Sequence, residues 1–407
     1  MTATPPKYVK QILMTLQKED YRAFLVGGCV RDMFLERTPS DWDITTNALP
    51  DEIMAVFPDT VATGLKHGTV TVKVGRHRVE VTTMRLDGEY SDHRRPGSVA
   101  YISDLTADLA RRDFTMNAIA ISSDGFVIDP NSGVADIKKS LVRCVGDPET
   151  RFTEDALRMF RAIRFSAQLG FDIEENTAAA IYSSSHLAAI ISAERIRDEL
   201  EKILMSPKPE RISRMLSFGL LDTFLLRPRA SFDFARASSL PKNKMQRWAA
   251  FCCLLEQKKL ISSTEIFLRR LRLDNTTIKS CSLGVRAALT SLPETVRDWK
   301  GILAEQGTNV ALCAAAAAEM IKHGNYIKTL RILLRSGDCF SLSRLAVNGD
   351  DIMQFGLSGA EVGYALKTLL NHVLDHPKDN KKEILMAKLT AILTEPKVCD
   401  SLSGNYS

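Results

Sequence analysis

The chain of 407 residues has no long hydrophobic run. Its longest apolar stretch, at 310–318, is nine residues and mostly alanine, whereas a membrane-spanning helix needs about 20. The first residues lack the apolar core of a secretory signal. Eight cysteines form no CxxC pair, which argues against structural zinc and favours reduced, buried thiols. We therefore expect a cytoplasmic protein with no membrane segment.

The composition has no strong bias: 45% of residues are hydrophobic, 25% are charged and 7% are aromatic. These values exclude a wholly disordered or collagen-like chain. The net charge of +5 is unevenly spread, because residues 207–275 contain 14 Lys and Arg against 6 Asp and Glu. A basic middle segment suggests a polyanionic partner, although solvated basic helix faces give the same pattern.

The pattern of elements changes once along the chain. The first 150 residues predict mixed α/β structure, and the sequence after about residue 152 predicts helices almost throughout. The strands are predicted at 23–26, 42–45, 69–74, 79–83, 118–121 and 126–128. The helices are predicted at 8–16, 30–35, 50–56, 153–169, 175–183 and 193–204, and a further helical unit begins at Asn348.

Two aspartates follow a glycine pair near the N-terminus. If 41–45 is extended, Asp41 and Asp43 lie on one face. Such a pair suits Mg²⁺ together with substrate phosphates, and two ions promote in-line phosphoryl displacement. Gly28 permits close backbone approach to a triphosphate, and Arg31 begins a helix where anions are favoured. A DxD triplet also occurs in ordinary solvated turns, so the combination carries the argument.

Two further acids are candidate supporting groups. Glu80 lies on the predicted strand 79–83, either directed toward the aspartate pair or as an ordinary surface carboxylate. Asp113 is expected to be a helix N-terminal acid, with Arg112 reaching a phosphate.

Four charged residues recur at a spacing of three: Asp155, Arg158, Arg161 and Arg164. On one helix over 153–169 each would neighbour the next. An ionised Asp accepts and an Arg donates, which matches the pairing edges of cytosine and adenine and leaves uracil and guanine unsatisfied. Asp155 and Arg158 would thus select the base, leaving Arg161 and Arg164 free for phosphates. The alternative is a common helical salt-bridge pattern.

A highly polar segment, DGEYSDHRRP at 87–96, lies between predicted strands. It has no aliphatic side chain and includes Asp87, Arg94 and Arg95. We expect a mobile, solvated loop there.

These motifs together resemble the class II tRNA nucleotidyltransferases, the bacterial CCA-adding enzymes. The resemblance is carried in order by GGCVRD with DWD, RRDFTMNA, LVRCVG, EDALRMFRAIRF and ERIRDELEKIL, which run from 27 to 204. It implies a head related to DNA polymerase beta, followed by all-helical parts in an elongated, seahorse-shaped chain. The implied parts are a catalytic head (1–147), a base-recognising neck (148–206), and a tRNA-binding body (207–340) and tail (341–407).

The resemblance also implies an activity: template-independent addition of C, C and A to the tRNA 3′ end, from CTP and ATP. Asp41 and Asp43 would hold Mg²⁺ and activate the 3′-hydroxyl. The nucleotide would contact the residues Gly28, Arg31, Arg112, Asp155, Arg158, Arg161 and Arg164. The segment with Asp87, Arg94 and Arg95 resembles the family's flexible loop, and the basic body and tail would bind the tRNA acceptor arm.

Several alternatives remain open on sequence. An A-adding enzyme or a bacterial poly(A) polymerase shares the same head. A small-molecule nucleotidyltransferase would not need the long helical extension, and an RNA-binding protein without activity would not need intact Asp41 and Asp43.

Overall fold

The computed structural model describes residues 4–65, 68–88 and 98–394. Contacts divide the chain into two compact units, Met1–Asp233 and Phe234–Ser407. The predicted class is confirmed: a mixed α/β region precedes an all-helical one. The boundary falls inside the segment predicted as one body, so 207–233 belongs to the first unit. The four-part division stays a prediction.

The described part of the first unit contains eleven short strands. They are β1 (Ala23–Val26), β2 (Asp43–Thr46), β3 (Thr60–Gly64), β4 (Thr69–Val74), β5 (His77–Thr83), β6 (Arg85–Asp87), β7 (Val99–Tyr101), β8 (Ala120–Ser122), β9 (Val127–Ile128), β10 (Leu141–Val142) and β11 (Asp172–Ile173). Seven of them form one sheet in the order β3-β4-β5-β2-β1-β8-β9. Within it β2 and β5 are parallel, and the other pairs are antiparallel.

Ten α-helices belong to the described part of the first unit. They are α1 (Lys7–Lys18), α2 (Gly28–Phe34), α3 (Pro50–Val56), α4 (Leu105–Ala110), α5 (Gly133–Lys138), α6 (Pro148–Glu154), α7 (Leu157–Leu169), α8 (Glu175–Ser183), α9 (Ala193–Leu204) and α10 (Ile212–Ser217). They carry short buried faces of the expected spacing. Helix α1, for example, buries Val9, Ile12, Leu13 and Leu16, the i, i+3, i+4, i+7 pattern of an amphipathic helix.

The second unit is helical throughout its described residues. Its α-helices are α11 (Lys244–Gln257), α12 (Thr264–Arg270), α13 (Asn275–Thr290), α14 (Val296–Gln306), α15 (Thr308–Ile321), α16 (Tyr326–Arg335), α17 (Gly349–Met353), α18 (Ala360–Asp375) and α19 (Lys382–Thr394). Helix α15 buries Val310, Ala311 and the run from Cys313 to Ala318. A helix that is apolar on nearly all sides belongs in a core, and α15 packs against α11 and α13. In the described part of the chain no helix is long and apolar enough to span a membrane.

One predicted helix is wrong. The sequence predicts a single helix over 153–169, but α6 ends at Glu154 and α7 begins at Leu157. Asp155 between them is extended, with φ −137° and ψ 102°. Its side-chain Oδ1 accepts from the Leu157 amide at 3.1 Å, a local bond through which Asp competes with helix continuation.

Candidate active site

One cleft of about 810 Å³ brings together many charged residues of the first unit. Among the described residues, eight arginines and six aspartates line it, together with Gly27 and Gly28. Every predicted site residue that the structure describes is among them: Gly28, Arg31, Asp41, Asp43, Asp87, Arg112, Asp155, Arg158, Arg161 and Arg164. Arg94 and Arg95 lie outside the described residues.

The two aspartates of the DxD triplet lie at the start of a central strand. Asp43 is the first residue of β2, and the exposed Asp41 precedes the strand, so the extended region begins later than predicted. Glu80 on β5 is the parallel register partner of Asp43. Glu80 and Asp41 also line a second pocket together. Asp41, Asp43 and Glu80 are therefore near neighbours where β2 begins, a region that we call the carboxylate edge of the sheet.

The electrostatics of Asp43 reflect this crowding. Burial raises its pKa to about 6, and the negative charges of Glu80 and Asp41 act in the same direction, while Arg112 opposes them. Like charges disfavour ionisation of a neighbour. Asp43 is thus a carboxylate whose charge lacks full compensation from the protein.

The glycine pair leaves open space beside this carboxylate. Gly27 has φ +80°, a conformation that L side chains rarely adopt. A Cβ built there would lie 3.5 Å from Asp43 Oδ2 and 3.4 Å from Arg112 Nη1. The space between a carboxylate and a guanidinium is thus kept free of side chain, and α2 begins at the next residue, Gly28.

A buried carboxylate anchors Arg112. Asp108 Oδ2 accepts from Arg112 Nη2 at 3.0 Å, and Oδ1 accepts from Arg111 Nη2 at 2.7 Å. Although burial opposes it, the two arginines hold the pKa of Asp108 below its usual range. Arg112 Nε has no hydrogen-bond partner within the described residues. Arg112 is therefore held in place by Asp108, and its Nε–H group remains available as a donor.

A chain of hydrogen bonds crosses the cleft floor from Arg31. Its Nη1 donates to Asn117 Oδ1 at 2.8 Å, and its Nη2 donates to Asp32 at 2.8 Å. Asn117 Nδ2 donates to Asp113 Oδ1 at 3.3 Å. Asp113 Oδ2 accepts from Arg161 Nε at 2.8 Å. Asp113 is thus mainly the buried partner of Arg161, more than the helix N-terminal acid that the sequence predicts.

Three of the arginines contact one aromatic ring, that of Phe165. The guanidinium carbons of Arg31, Arg161 and Arg164 lie 5.4, 5.7 and 4.2 Å from the centroid of Phe165. These are cation–π distances. The ring is 7% exposed and packs edge-on against Phe114 at 5.6 Å, so it gives all three cations one rigid support.

The expectation that Arg161 and Arg164 are free for phosphates is wrong in its premise. Arg161 is paired with Asp113, and Arg164 Nε lies 3.0 Å from Glu199 Oε2 on α9. Both carboxylates are buried, and leaving either of them without a cationic partner would be costly. Both arginines nevertheless line the cleft, and their contact with a nucleotide stays a prediction.

The predicted base-reading pair is also arranged differently from the sequence expectation. Asp155 is not on the helix that carries Arg158. Arg158 Nη1 donates to Glu154 at 2.5 Å and to the Arg151 carbonyl at 3.1 Å, and its Nη2 donates to the Arg111 carbonyl at 3.1 Å. Both residues still line the cleft.

The polar segment predicted as a loop starts from a two-stranded ribbon. Strands β6 and β7 pair antiparallel, with Asp87 opposite Val99. Asp87 forms ion pairs with Arg85 at 3.0 Å and Arg111 at 3.5 Å. Residues 89–97 lie outside the described part, so the expectation of a mobile loop stays a prediction.

Sequence comparison places these residues in a known family. Residues 23–143 match the Poly A polymerase head domain. Residues 170–231 match the RNA- and SrmB-binding site of polymerase A. Residues 241–389 match tRNA nucleotidyltransferase domain 2. The CCA-adding enzyme of Geobacillus sp. (strain WCH70) is 41% identical over 383 residues, covering 91% of this chain and 93% of that protein. The chain belongs to the CCA-adding enzyme family.

Another CCA-adding enzyme, from Geobacillus stearothermophilus, is 36% identical over 93% of this chain and 95% of its own length. The crystal structure of Bacillus stearothermophilus CCA-adding enzyme in complex with CTP superposes with a TM-score of 0.78, at 33% identity, over 96% of this chain and 98% of that one. Thermotoga maritima CCA-adding enzyme, complexed with tRNA-CCA, shares the fold at 22% identity with a TM-score of 0.68, over 96% of this chain and 97% of that one.

Sequence reasoning assigned no role to Asn117, Phe165 and Arg195, which line the cleft of this member of the CCA-adding enzyme family. They stand inside the motifs RRDFTMNA, EDALRMFRAIRF and ERIRDELEKIL, but a motif does not show which side chains contact each other. Arg195 lies 40 residues from its partner Asp155. Only the packing of α7 on α9 brings the two together.

Proposed function

We propose that this protein adds C, C and A to the 3′ end of tRNA, without a nucleic-acid template, from CTP and ATP. The observation that carries the proposal is the single cleft that joins the carboxylate edge of the sheet to Asp155 and Arg158. Its family membership supports the same activity. The cysteines among the described residues are buried and form no disulfide bonds, which supports a reaction in the reducing cytoplasm.

The carboxylate edge suits a divalent cation, and we propose Mg²⁺. Asp41 and Asp43 offer oxygen ligands only, and hard cations prefer oxygen. The neighbouring Cys29 thiol does not compete, because burial raises its pKa to about 11 and it donates to the Val26 carbonyl. Within the described ranges no group of three or more acidic, His or Cys side chains is arranged to hold a metal. Phosphate and water would complete the coordination, and Glu80 as a third ligand stays a prediction.

When bound there, the cation would lower the pKa of the attacking 3′-hydroxyl and neutralise charge on the phosphates. The chain's own residues orient the reactants. The space at Gly27 lets a phosphate approach between Asp43 and Arg112. Arg31 and Arg112 are each fixed by a carboxylate, so their placement needs little reorganisation when an anion binds.

Asp155 and Arg158 are proposed to read the base. Arg158 has five N–H donors and uses three in its described bonds. It therefore retains donors for N3 of cytosine or N1 of adenine. Asp155 accepts from the exocyclic amino group that these two bases share. Uracil and guanine offer the reverse pattern, which leaves buried groups unpaired at a cost of about 1–3 kcal/mol each. Arg161 and Arg164 complete the proposed nucleotide contacts.

The segment that starts at Asp87 is proposed to support the change from C to A addition, and the basic residues after 207 to bind the tRNA acceptor arm. Replacing 88–95 with a glycine–serine linker leaves the Asp87 ion pairs intact. We expect C addition to be spared and A addition to fall. An equal loss of both would give the segment a purely structural role.

Three tRNA transcripts test the activity: one lacking CCA, one ending in C and one ending in CC. Each is incubated with labelled CTP and ATP and Mg²⁺. We expect three, two and one added nucleotides, respectively, with no further extension. Extension of the CC-ending transcript by one A, with no extension of the other two transcripts, would identify an A-adding enzyme. A long A ladder on any RNA would identify a poly(A) polymerase.

A further inference from the structure

Arg195 on α9 contacts the carboxylate proposed to select the base. Its Nη2 lies 3.1 Å from Asp155 Oδ1 and 3.2 Å from Oδ2. We propose that Arg195 is a positioning residue for base selection, which orients the Asp155 carboxylate toward the amino group of the incoming base. This inference rests on the proposed function, because it assigns how that site achieves its specificity.

The arginine nearest in sequence does not perform this task. The described side-chain hydrogen bonds of Arg158 go to Glu154 and to the carbonyls of Arg151 and Arg111, and none goes to the Asp155 carboxylate. The two proposed base-reading residues are therefore held by different partners. Arg158 is fixed from α6 and from the Arg111 carbonyl just after α4, and Asp155 is fixed from α9.

The contacts of Asp155 leave one carboxylate oxygen able to accept more hydrogen bonds than the other. Oδ1 accepts from the Leu157 amide and from Arg195, whereas Oδ2 accepts from Arg195 alone. A carboxylate has about four lone-pair sites. Because both residues line the cleft, Oδ2 is the acceptor left for an exocyclic amino group.

Asp155 needs an external support because its backbone lies outside both helices. It has φ −137° and ψ 102°. Its amide donates to the Arg151 carbonyl and its carbonyl accepts from the Arg158 amide, and these bonds hold the backbone but not the carboxylate. Removing the arginine would leave the Leu157 amide as the one described partner of the carboxylate, bound to one oxygen. The carboxylate plane would then be free to turn about that bond.

Helix α9 is well placed to supply this support. It buries Ile196, Leu200 and Ile203, and it packs on α7. One turn after Arg195, Glu199 forms the ion pair with Arg164 of α7. Helix α9 supplies the arginine of one ion pair and the glutamate of the other. A shift of α9 by one turn would place like charges next to each other, so the pairing also fixes the register of the helix.

The test measures base choice. Arg195→Gln and Arg195→Lys are compared with Arg197→Gln, a control on the same helix whose residue pairs with its exposed neighbour Asp198 at 2.8 Å. The readout is kcat/KM for CTP and for UTP on a tRNA lacking CCA. We expect Arg195→Gln to lower the CTP-to-UTP ratio about ten-fold or more, the size of a charge-assisted hydrogen bond. Arg195→Lys should recover part of the ratio, and Arg197→Gln should match the wild type.

A double-mutant cycle with Asp155→Asn separates positioning from mere structural support. If Arg195 acts through Asp155, adding Arg195→Gln to Asp155→Asn leaves the CTP-to-UTP ratio at the single-variant value. Equal losses for CTP and UTP in Arg195→Gln, or additive effects in the cycle, would overturn the proposal. Thermal melts exclude variants that fail to fold, and the lysine variant then carries the test.

The proposal and the proposed function fail in different ways. If the wild-type protein does not extend the tRNA with C and A, the proposed function is wrong. If it does, and if Asp155→Asn alters base choice while Arg195→Gln does not, the activity stands and only the role of Arg195 is refuted.

Discussion

The cleft of the first unit and the core of the second unit achieve order by opposite means. Eight arginines and six aspartates line the cleft, and arginines such as Arg112 and Arg161 are fixed by a buried carboxylate partner. In the second unit, helix α15 buries five consecutive alanines, Ala314 to Ala318. There order comes from close backbone approach. Substitutions in the cleft should therefore change chemistry, and substitutions in the core should change stability.

The largest effect is expected at the carboxylate edge. Asp43→Ala and Asp41→Ala should each lower transfer of both CTP and ATP about a thousand-fold or more, because the proposed cation would lose one of its two protein ligands. Binding of tRNA should stay near normal, since neither residue belongs to the proposed RNA-binding parts. Transfer rates and filter binding measure the two quantities. Retained turnover in both variants would remove the metal assignment.

Gly284 in the second unit tests the other side of the comparison. A Cβ there would lie 2.6 Å from Cys313 Cβ and 2.7 Å from the Ala314 amide nitrogen. Because backbone atoms cannot yield easily, Gly284→Ala should lower the free energy of unfolding by about 2 kcal/mol, despite the better helix propensity of alanine. Urea unfolding measures the change. An unaltered midpoint would show that α13 and α15 move apart at little cost.

Asp43 also predicts a stability effect inside the cleft. Its pKa is raised to about 6 in the folded protein, so its ionisation disfavours folding progressively as pH rises from about 4 through 6. In EDTA at pH 7.5, Asp43→Asn should therefore raise the free energy of unfolding by about 1–2 kcal/mol. At pH 4 the gain should disappear. Thermal melts at both pH values check the sign, and a loss at pH 7.5 would contradict it.

Gly363 gives the smallest effect and the matched control for Gly284. It lies in helix α18, and among the described residues nothing stands within 4 Å of a Cβ built there. Gly363→Ala should therefore raise the free energy of unfolding by about 0.5–1 kcal/mol. The same substitution would have opposite signs at the two glycines. Two losses of similar size would mean that close packing is not what distinguishes Gly284.

Local signals predicted much of the fold. Strands at 23–26 and 69–74 and helices at 50–56, 175–183 and 193–204 have the predicted bounds. Proline at the first helical position and runs of β-branched residues mark such elements clearly. The predicted helix over 153–169 was wrong because the spacing of three from Asp155 through Arg158 and Arg161 continues across the break. No glycine or proline marks Asp155.

The site likewise has a part that the sequence predicts and a part that it does not. The aspartate pair, the glycines and the arginines are close in sequence, and motif reasoning placed them in one site. Their partners are distant: Arg164 pairs with Glu199, and Asp155 pairs with Arg195, 40 residues along the chain. A pattern of charges shows which residues are available. It does not show which pairs the packing of α7 on α9 will form.

The break between α6 and α7 separates the two base-reading residues mechanically. Arg158 is a fixed reference, because three hydrogen bonds hold its guanidinium. The Asp155 carboxylate is held separately, by the Leu157 amide and by Arg195 on α9. In the proposed reaction one site accepts first a pyrimidine and then a larger purine. Because the two contacts belong to different elements, one helix does not set their separation, which would let the same two side chains contact both rings.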